Sequence, residues 1–115
     1  MAIPSGSGTE VLKRHYVHNN SDAWTAVITG VANHIYTVLS VSCADQGGTA
    51  ETIYIRVDIN DSGTPIYLVS NESLPGHGTF VWNDKFVLTG TDVLEIYNTA
   101  GNVDWYVSYI DQDWT

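Results

Sequence analysis

The sequence predicts an all-β fold: a single antiparallel β-sandwich, jelly-roll-like, with about eight strands. Three observations carry that expectation. Short runs rich in β-branched and aromatic residues are separated by turn residues roughly every 8–12 positions, the spacing of sandwiches and barrels. One run, Glu51 to Ile59 (ETIYIRVDI), alternates strictly, with Ile53, Ile55, Val57 and Ile59 on one face and Thr52, Tyr54, Arg56 and Asp58 on the other. No window carries the 3.6-residue period of an amphipathic helix.

Residues 1–8 contain a Pro/Gly/Ser arm (AIPSGSG from Ala2), expected to be flexible unless a neighbour pins it. The sandwich domain then occupies residues 9–115. Thr9 to His18 is the first strand, with Val11, Lys13, His15 and Val17 on one face and Leu12, Arg14, Tyr16 and His18 on the other. Neither face is cleanly apolar, which fits an edge strand or one whose outer face meets another chain. Asn19 to Asp22 is turn chemistry, and Ala23 to Thr29 is a short strand that Gly30 ends. Asn33 to Ala44 (NHIYTVLSVSCA) holds no Pro or Gly and reads as a long central strand. Asp45-Gln-Gly-Gly48 breaks it, and Glu51–Ile59 is expected to return beside it as a β-hairpin with one buried face.

A turn at Asn60–Gly63 precedes a strand from Pro65 to Val69, and a longer loop is expected from Asn71 to Gly78. Thr79–Trp82 and Lys85–Leu88 are short strands about an Asn83-Asp84 turn. Asp92–Asn98 and Val103–Ile110 close the domain, and Asp111–Thr115 reads as an acidic tail.

Composition narrows the function classes. The chain has 115 residues, with four Lys/Arg against thirteen Asp/Glu, a formal net charge of −9. So few cations cannot neutralise a run of phosphates, which argues against nucleic acid as a partner. The same shortage disfavours an anionic membrane surface, and no apolar run approaches the roughly 20 residues of a membrane span. The opening residues lack the basic and apolar regions of a signal peptide. Cys43 is the one cysteine, so no intrachain disulfide forms, and within an apolar strand it is expected to be a small buried hydrophobe.

Motifs for chemistry are weak. Asp58-Ile-Asn-Asp-Ser-Gly63 matches the first half of a calcium loop, yet the position of its bidentate Glu holds Val69, so a hairpin turn explains it better. His15 and His18 point to opposite faces of a strand, and His34 and His77 stand at no ligand spacing, so no metal or other cofactor is expected. His34 heads the central strand, a place for a hydrogen-bonding residue or a subunit contact. Asp104, Asp111 and Asp113 gather near the end with no nucleophile elbow or phosphate loop beside them, and no catalytic residue is expected. Four Trp and seven Tyr are a heavy aromatic load. Rings of this kind fill cores and subunit contacts, or, beside Asp and Asn, form platforms for a glycan.

Three segments carry a resemblance. Ile3-Pro-Ser-Gly-Ser-Gly-Thr-Glu-Val-Leu-Lys-Arg14, Ala32-Asn-His-Ile-Tyr-Thr-Val-Leu-Ser40 and Asn102-Val-Asp-Trp-Tyr-Val-Ser-Tyr-Ile110 together resemble small virion proteins of tailed phages, marine and cyanophage types in particular. The family commonly has Pro-Ala-Asn-His before the central strand where this chain has Val31-Ala-Asn-His34. The resemblance implies a non-enzymatic capsid decoration (cement) protein, made in the host cytoplasm and located on the outer surface of the virion. It implies a homotrimer with the major capsid protein as partner. The arm, the mixed faces of the first strand and the head of the central strand put the subunit or capsid contacts at Ile3, Pro4, Val11, Lys13, His15 and His34. The alternative is a glycan-binding or receptor-binding sandwich module on a tail fibre or capsid tip.

Overall fold

The computed structural model describes residues 9–20, 22–99 and 101–115. The described residues form nine strands: β1 (Thr9–Asn19), β2 (Thr25–Thr29), β3 (His34–Asp45), β4 (Glu51–Asp58), β5 (Pro65–Leu74), β6 (Thr79–Trp82), β7 (Phe86–Thr89), β8 (Val93–Asn98) and β9 (Val103–Asp113). One turn of 3-10 helix, Ile59–Asp61, follows β4. No helix among the described residues is long and apolar enough to cross a membrane.

The strands make two antiparallel sheets. One runs β1-β9-β3, with β6 and β7 both pairing the far edge of β3; the other runs β2-β8-β4-β5. The chain changes sheet at most connections, which is the winding of a jelly roll. β7 and β6 pair Ile35–Val38 and Val41–Ala44 in turn, so they act as one interrupted strand. Leu39 lies at the interruption, where the pairing of β3 with β9 shifts register.

The core is the set of inward residues from both sheets, including Val38, Val41, Ile53, Ile55, Leu88, Leu94, Ile96, Val103, Trp105 and Val107. Ile53, Ile55 and Val57 are buried, as the alternation requires, whereas Ile59 belongs to the 3-10 turn and is exposed. At one end a buried polar knot links the sheets. The Asn98 side-chain oxygen accepts from Asn19 Nδ2 at 2.7 Å and from Trp105 Nε1 at 3.0 Å, while Asn98 Nδ2 donates to the Thr99 carbonyl at 2.8 Å.

Three expectations are corrected. β3 and β4 do not form a hairpin: they are central strands of different sheets and face each other across the core. Both edges of β3 are taken by β9 and β6/β7, and both edges of β4 by β8 and β5. The connection from Gln46 to Ala50 is longer than a tight hairpin turn and crosses the roughly 10 Å between sheets. It is braced by Asp45, whose Oδ2 accepts the N–H of Gly48 and of His77, each at 2.9 Å. Gly76 packs against the Gly48 carbonyl so closely that no Cβ would fit.

The loop expected from Asn71 is instead the end of β5, which runs to Leu74 through register shifts opposite β4. Asn71 accommodates the irregularity with φ +56°, a conformation its short polar side chain tolerates. The acidic tail is likewise mostly strand: β9 continues to Asp113, and Asp111 is buried in it.

Candidate interaction surface

β1 pairs β9 along its whole length without a bulge and ends its sheet. Its odd-numbered residues face the interior, yet β2 opposite is only five residues long and covers little of them. Val17 packs on the core and Asn19 is buried, while Val11, Lys13 and His15 stay exposed. The uncovered part opens into a cleft of about 370 Å³ lined by Lys13, His15, Val31, His34, Tyr109 and Asp111 among others.

Asp111 organises that cleft. Lys13 Nζ donates to Asp111 Oδ2 at 2.8 Å, and His34 Nδ1 lies 2.8 Å from Asp111 Oδ1. Burial pushes the Asp111 pKa up, but the hydrogen bonds and charge of Lys13 and His34 outweigh it and leave the carboxyl below its ordinary range. The hydrogen bond to Asp111 raises the Lys13 ammonium correspondingly. His34 Nε2 is 3.4 Å from Asp113, and its ring stacks on Tyr36 with centroids 5.8 Å apart. Burial raises the Tyr36 phenol, whose oxygen accepts the Val31 N–H at 3.0 Å.

Of the contact residues expected from sequence, Val11, Lys13, His15 and His34 therefore fall on one side of the molecule, three of them in one cleft. Ile3 and Pro4 lie outside the described residues. Asp104, Asp111 and Asp113 do not converge: Asp104 projects from the opposite face of β9 and pairs with His18. Asp58 is spent on its own turn, its Oδ1 accepting from the N–H of Gly63 at 2.9 Å and of Thr64 at 3.1 Å. Among the described residues no group of three or more His, Cys, Asp or Glu is placed to hold a metal ion. Cys43 is buried on β3, and desolvation pushes its thiol up to about 12, far from a nucleophile's range.

The outer face of the β1-containing sheet is the larger feature. Register sets its side chains in rows across the strands. Leu12, Ile110, Thr37 and Val87 form one row, and Tyr16, Tyr106, Ser42 and Val81 another. Leu12 is 72% exposed and Tyr16 66%, and Val81, Val87 and Tyr106 are exposed too. Arg14 sits between the rows, its guanidinium 5.5 Å from the Tyr16 ring centroid and donating to the Tyr106 hydroxyl at 3.4 Å. Two shallow hollows flank it. One of about 480 Å³ involves Leu12, Leu39, Tyr106 and Ser108; the other, of about 400 Å³, involves Tyr16, His18, Asp104 and Tyr106. The mixed faces of β1 are legible in the sequence. The contribution of Val81, Val87 and Tyr106 is not, because nothing local says which strands become neighbours.

The outer face of the other sheet carries an aromatic cluster. Trp24 lies 5.1 Å from Tyr97, 5.9 Å from Tyr54 and 6.0 Å from Tyr67, centroid to centroid. Arg56 lies over the Trp24 ring at 3.5 Å, donates to Glu95 at 2.8 Å and reaches the Tyr67 hydroxyl at 3.3 Å. The four tryptophans thus divide. Trp105 is core, Trp82 packs partly buried against it, Trp114 is half-buried, and Trp24 belongs to this cluster.

No protein-family model and no curated protein matches the chain. Solved structures share its fold. The chain is similar over 98% of its length, and over 92% of the other chain, to one in the acid-stable capsid structure of Helicobacter pylori bacteriophage KHP30, with 13% identity and a TM-score of 0.54. It is also similar, at 14% identity and a TM-score of 0.52, to a chain of the Bacillus endospore appendages, a family of disulfide-linked pili, covering 99% of this chain and 96% of that one. A chain of the T13 particle of infectious bursal disease virus matches 91% of this chain at 9% identity and a TM-score of 0.54, with 31% of its own length covered. At such identities the likeness establishes a shared β-sandwich fold.

Proposed function

We propose that this chain is a non-enzymatic structural protein of a tailed-phage virion, a decoration (cement) protein that binds the outer capsid surface and stabilises the shell. The observation that carries the reading is the exposure of β1 on both faces, beside a broad sheet face bearing exposed Leu, Val and Tyr. Surface of this kind in a small acidic domain is built for contact. In the cleft Lys13 and His34 are both bound to Asp111, and the buried Cys43 thiol is far from ionising, so neither pairs a nucleophile with a base. Two further supports are the resemblance of three segments to phage virion proteins and the shared fold with nearly the whole of a chain in a phage capsid structure.

In this reading the protein is a homotrimer, and the N-terminal arm with Ile3 and Pro4 reaches a neighbouring subunit. The cleft lined by Lys13, His15 and His34 is the place where such a segment docks. The test is rebinding to shells stripped of the protein. The full chain is expected to co-sediment with the shells, and a chain lacking residues 2–8 to bind them more weakly while staying folded. Failure of the full chain to bind would remove the cement role. A glycan-binding module is the second reading, favoured by the Trp24, Tyr54, Tyr67 and Tyr97 cluster. Retention of the protein by a glycan array, lost in Trp24→Ala, would support it.

A further inference from the structure

We infer that the outer face of the β1-β9-β3 sheet is where copies of this chain bind each other. The inference deepens the reading of an oligomeric virion protein, and rests on it only for the expectation that several copies act together. The face mixes exposed apolar and aromatic side chains with polar ones, Arg among them, as protein–protein interfaces do. Two rows hold Leu12, Ile110 and Val87, and Tyr16, Tyr106 and Val81, on either side of a row that carries Arg14, Ser108 and Ser40. The flanking rows are polar on β1 and β9. At one end Gln112 donates to Glu10 at 2.7 Å; at the other His18 pairs with Asp104, which also accepts from Gln46.

Size fits as well. Strands about 4.8 Å apart and about 3.3 Å per residue give the four-strand face a plan area on the order of 600 Å². Its relief adds accessible surface, which brings it near the roughly 800 Å² that each partner buries in a standard interface. Protruding Leu12 and Tyr16 lie on the same face as hollows of about 480 and 400 Å³, so knob and hole are supplied by one surface.

Charge selects the occupant. The chain carries −9, yet of its thirteen acidic residues only Glu10 and Asp104 fall in the rows of this face, with Arg14 among them. Two copies that meet here do so through a nearly neutral, largely apolar surface, so the charge of −9 on each chain opposes them little. A basic partner would gain little from this face and more from the acidic remainder.

The experiment is sedimentation velocity of the isolated full-length protein at micromolar concentration, at low and high sodium chloride. Wild type is expected to be an oligomer whose association tightens with salt, because salt screens the repulsion between acidic copies. Tyr16→Ala is expected to raise the dissociation constant about 30-fold or more. Leu12→Asp and Val81→Asp, on different strands, should give monomers with an unchanged circular dichroism spectrum. Ile66→Asp, off this face, should leave the oligomer intact.

A monomeric wild type overturns the inference, and so does an oligomer that survives both aspartate variants. If wild type is monomeric and the aspartate variants lose binding to shells, the face belongs to a capsid subunit and not to a second copy. Loss of shell binding alone bears on the proposed function, and loss of self-association alone on this inference.

Discussion

Asn98 does more than its size suggests. It is fully buried, and its amide meets Asn19 on β1, Trp105 on β9 and its own neighbour Thr99. Replacing it by Leu keeps the volume but leaves the indole N–H of Trp105 buried without its acceptor. An unmet buried donor costs about 1–3 kcal/mol, and the variant should lose at least that in urea unfolding with an unchanged m-value. Asp111 gives a second residue-scale prediction, in pH. Its pKa is depressed in the folded state, so its contribution is present above the ordinary carboxylate value of about 3.9 and is lost as pH falls through the folded value. Lys13 is raised, so its contribution is present below about 10.4 and is lost as pH rises through its folded value. Asp111→Asn should therefore cost about 1 kcal/mol near neutrality, a figure discounted for the exposure of Lys13, and less at pH 2. Equilibrium unfolding at the two pH values checks this.

At the scale of elements, strand existence was legible and strand pairing was not. Alternation in Glu51–Asp58 and β-branched density in His34–Asp45 define both strands, but the same burial pattern suits a hairpin or two strands facing across a core. What decides is tertiary: β9, 58 residues after β3, takes the edge that β4 would have used. Polar residues hid the ends of β5 and β9: residues 70–73 are exposed on β5, while Asp111 is buried on β9. Asp111 looks like tail chemistry until Lys13 and His34 arrive from distant positions to satisfy it. The Asp45–Ala50 crossover depends on Gly76 lying against Gly48, where a Cβ would meet backbone atoms. Gly76→Ala should cost about 1–3 kcal/mol, since backbone rather than a pliable side chain must move. A melting temperature equal to wild type would show that the two loops separate freely.

For the whole molecule, the make-up of the candidate surface was half legible. The mixed faces of β1 pointed to Val11, Lys13 and His15, and the position of His34 at the head of β3 pointed to a hydrogen-bonding role it fills beside Asp111. The apolar outer face needed the order of the sheet, because Tyr16, Tyr106 and Val81 become neighbours only when β1, β9, β3 and β6 line up. That arrangement leaves an acidic sandwich with a nearly neutral outer face reaching the edge strand β1, a shape suited to assembly. A cryo-EM reconstruction of the virion that carries the protein tests the cement reading most directly. The account predicts many symmetric copies of a nine-stranded sandwich spread over the outside of the shell, contacting the major capsid protein. Density confined to the tail, or an intact shell without the protein, would contradict it.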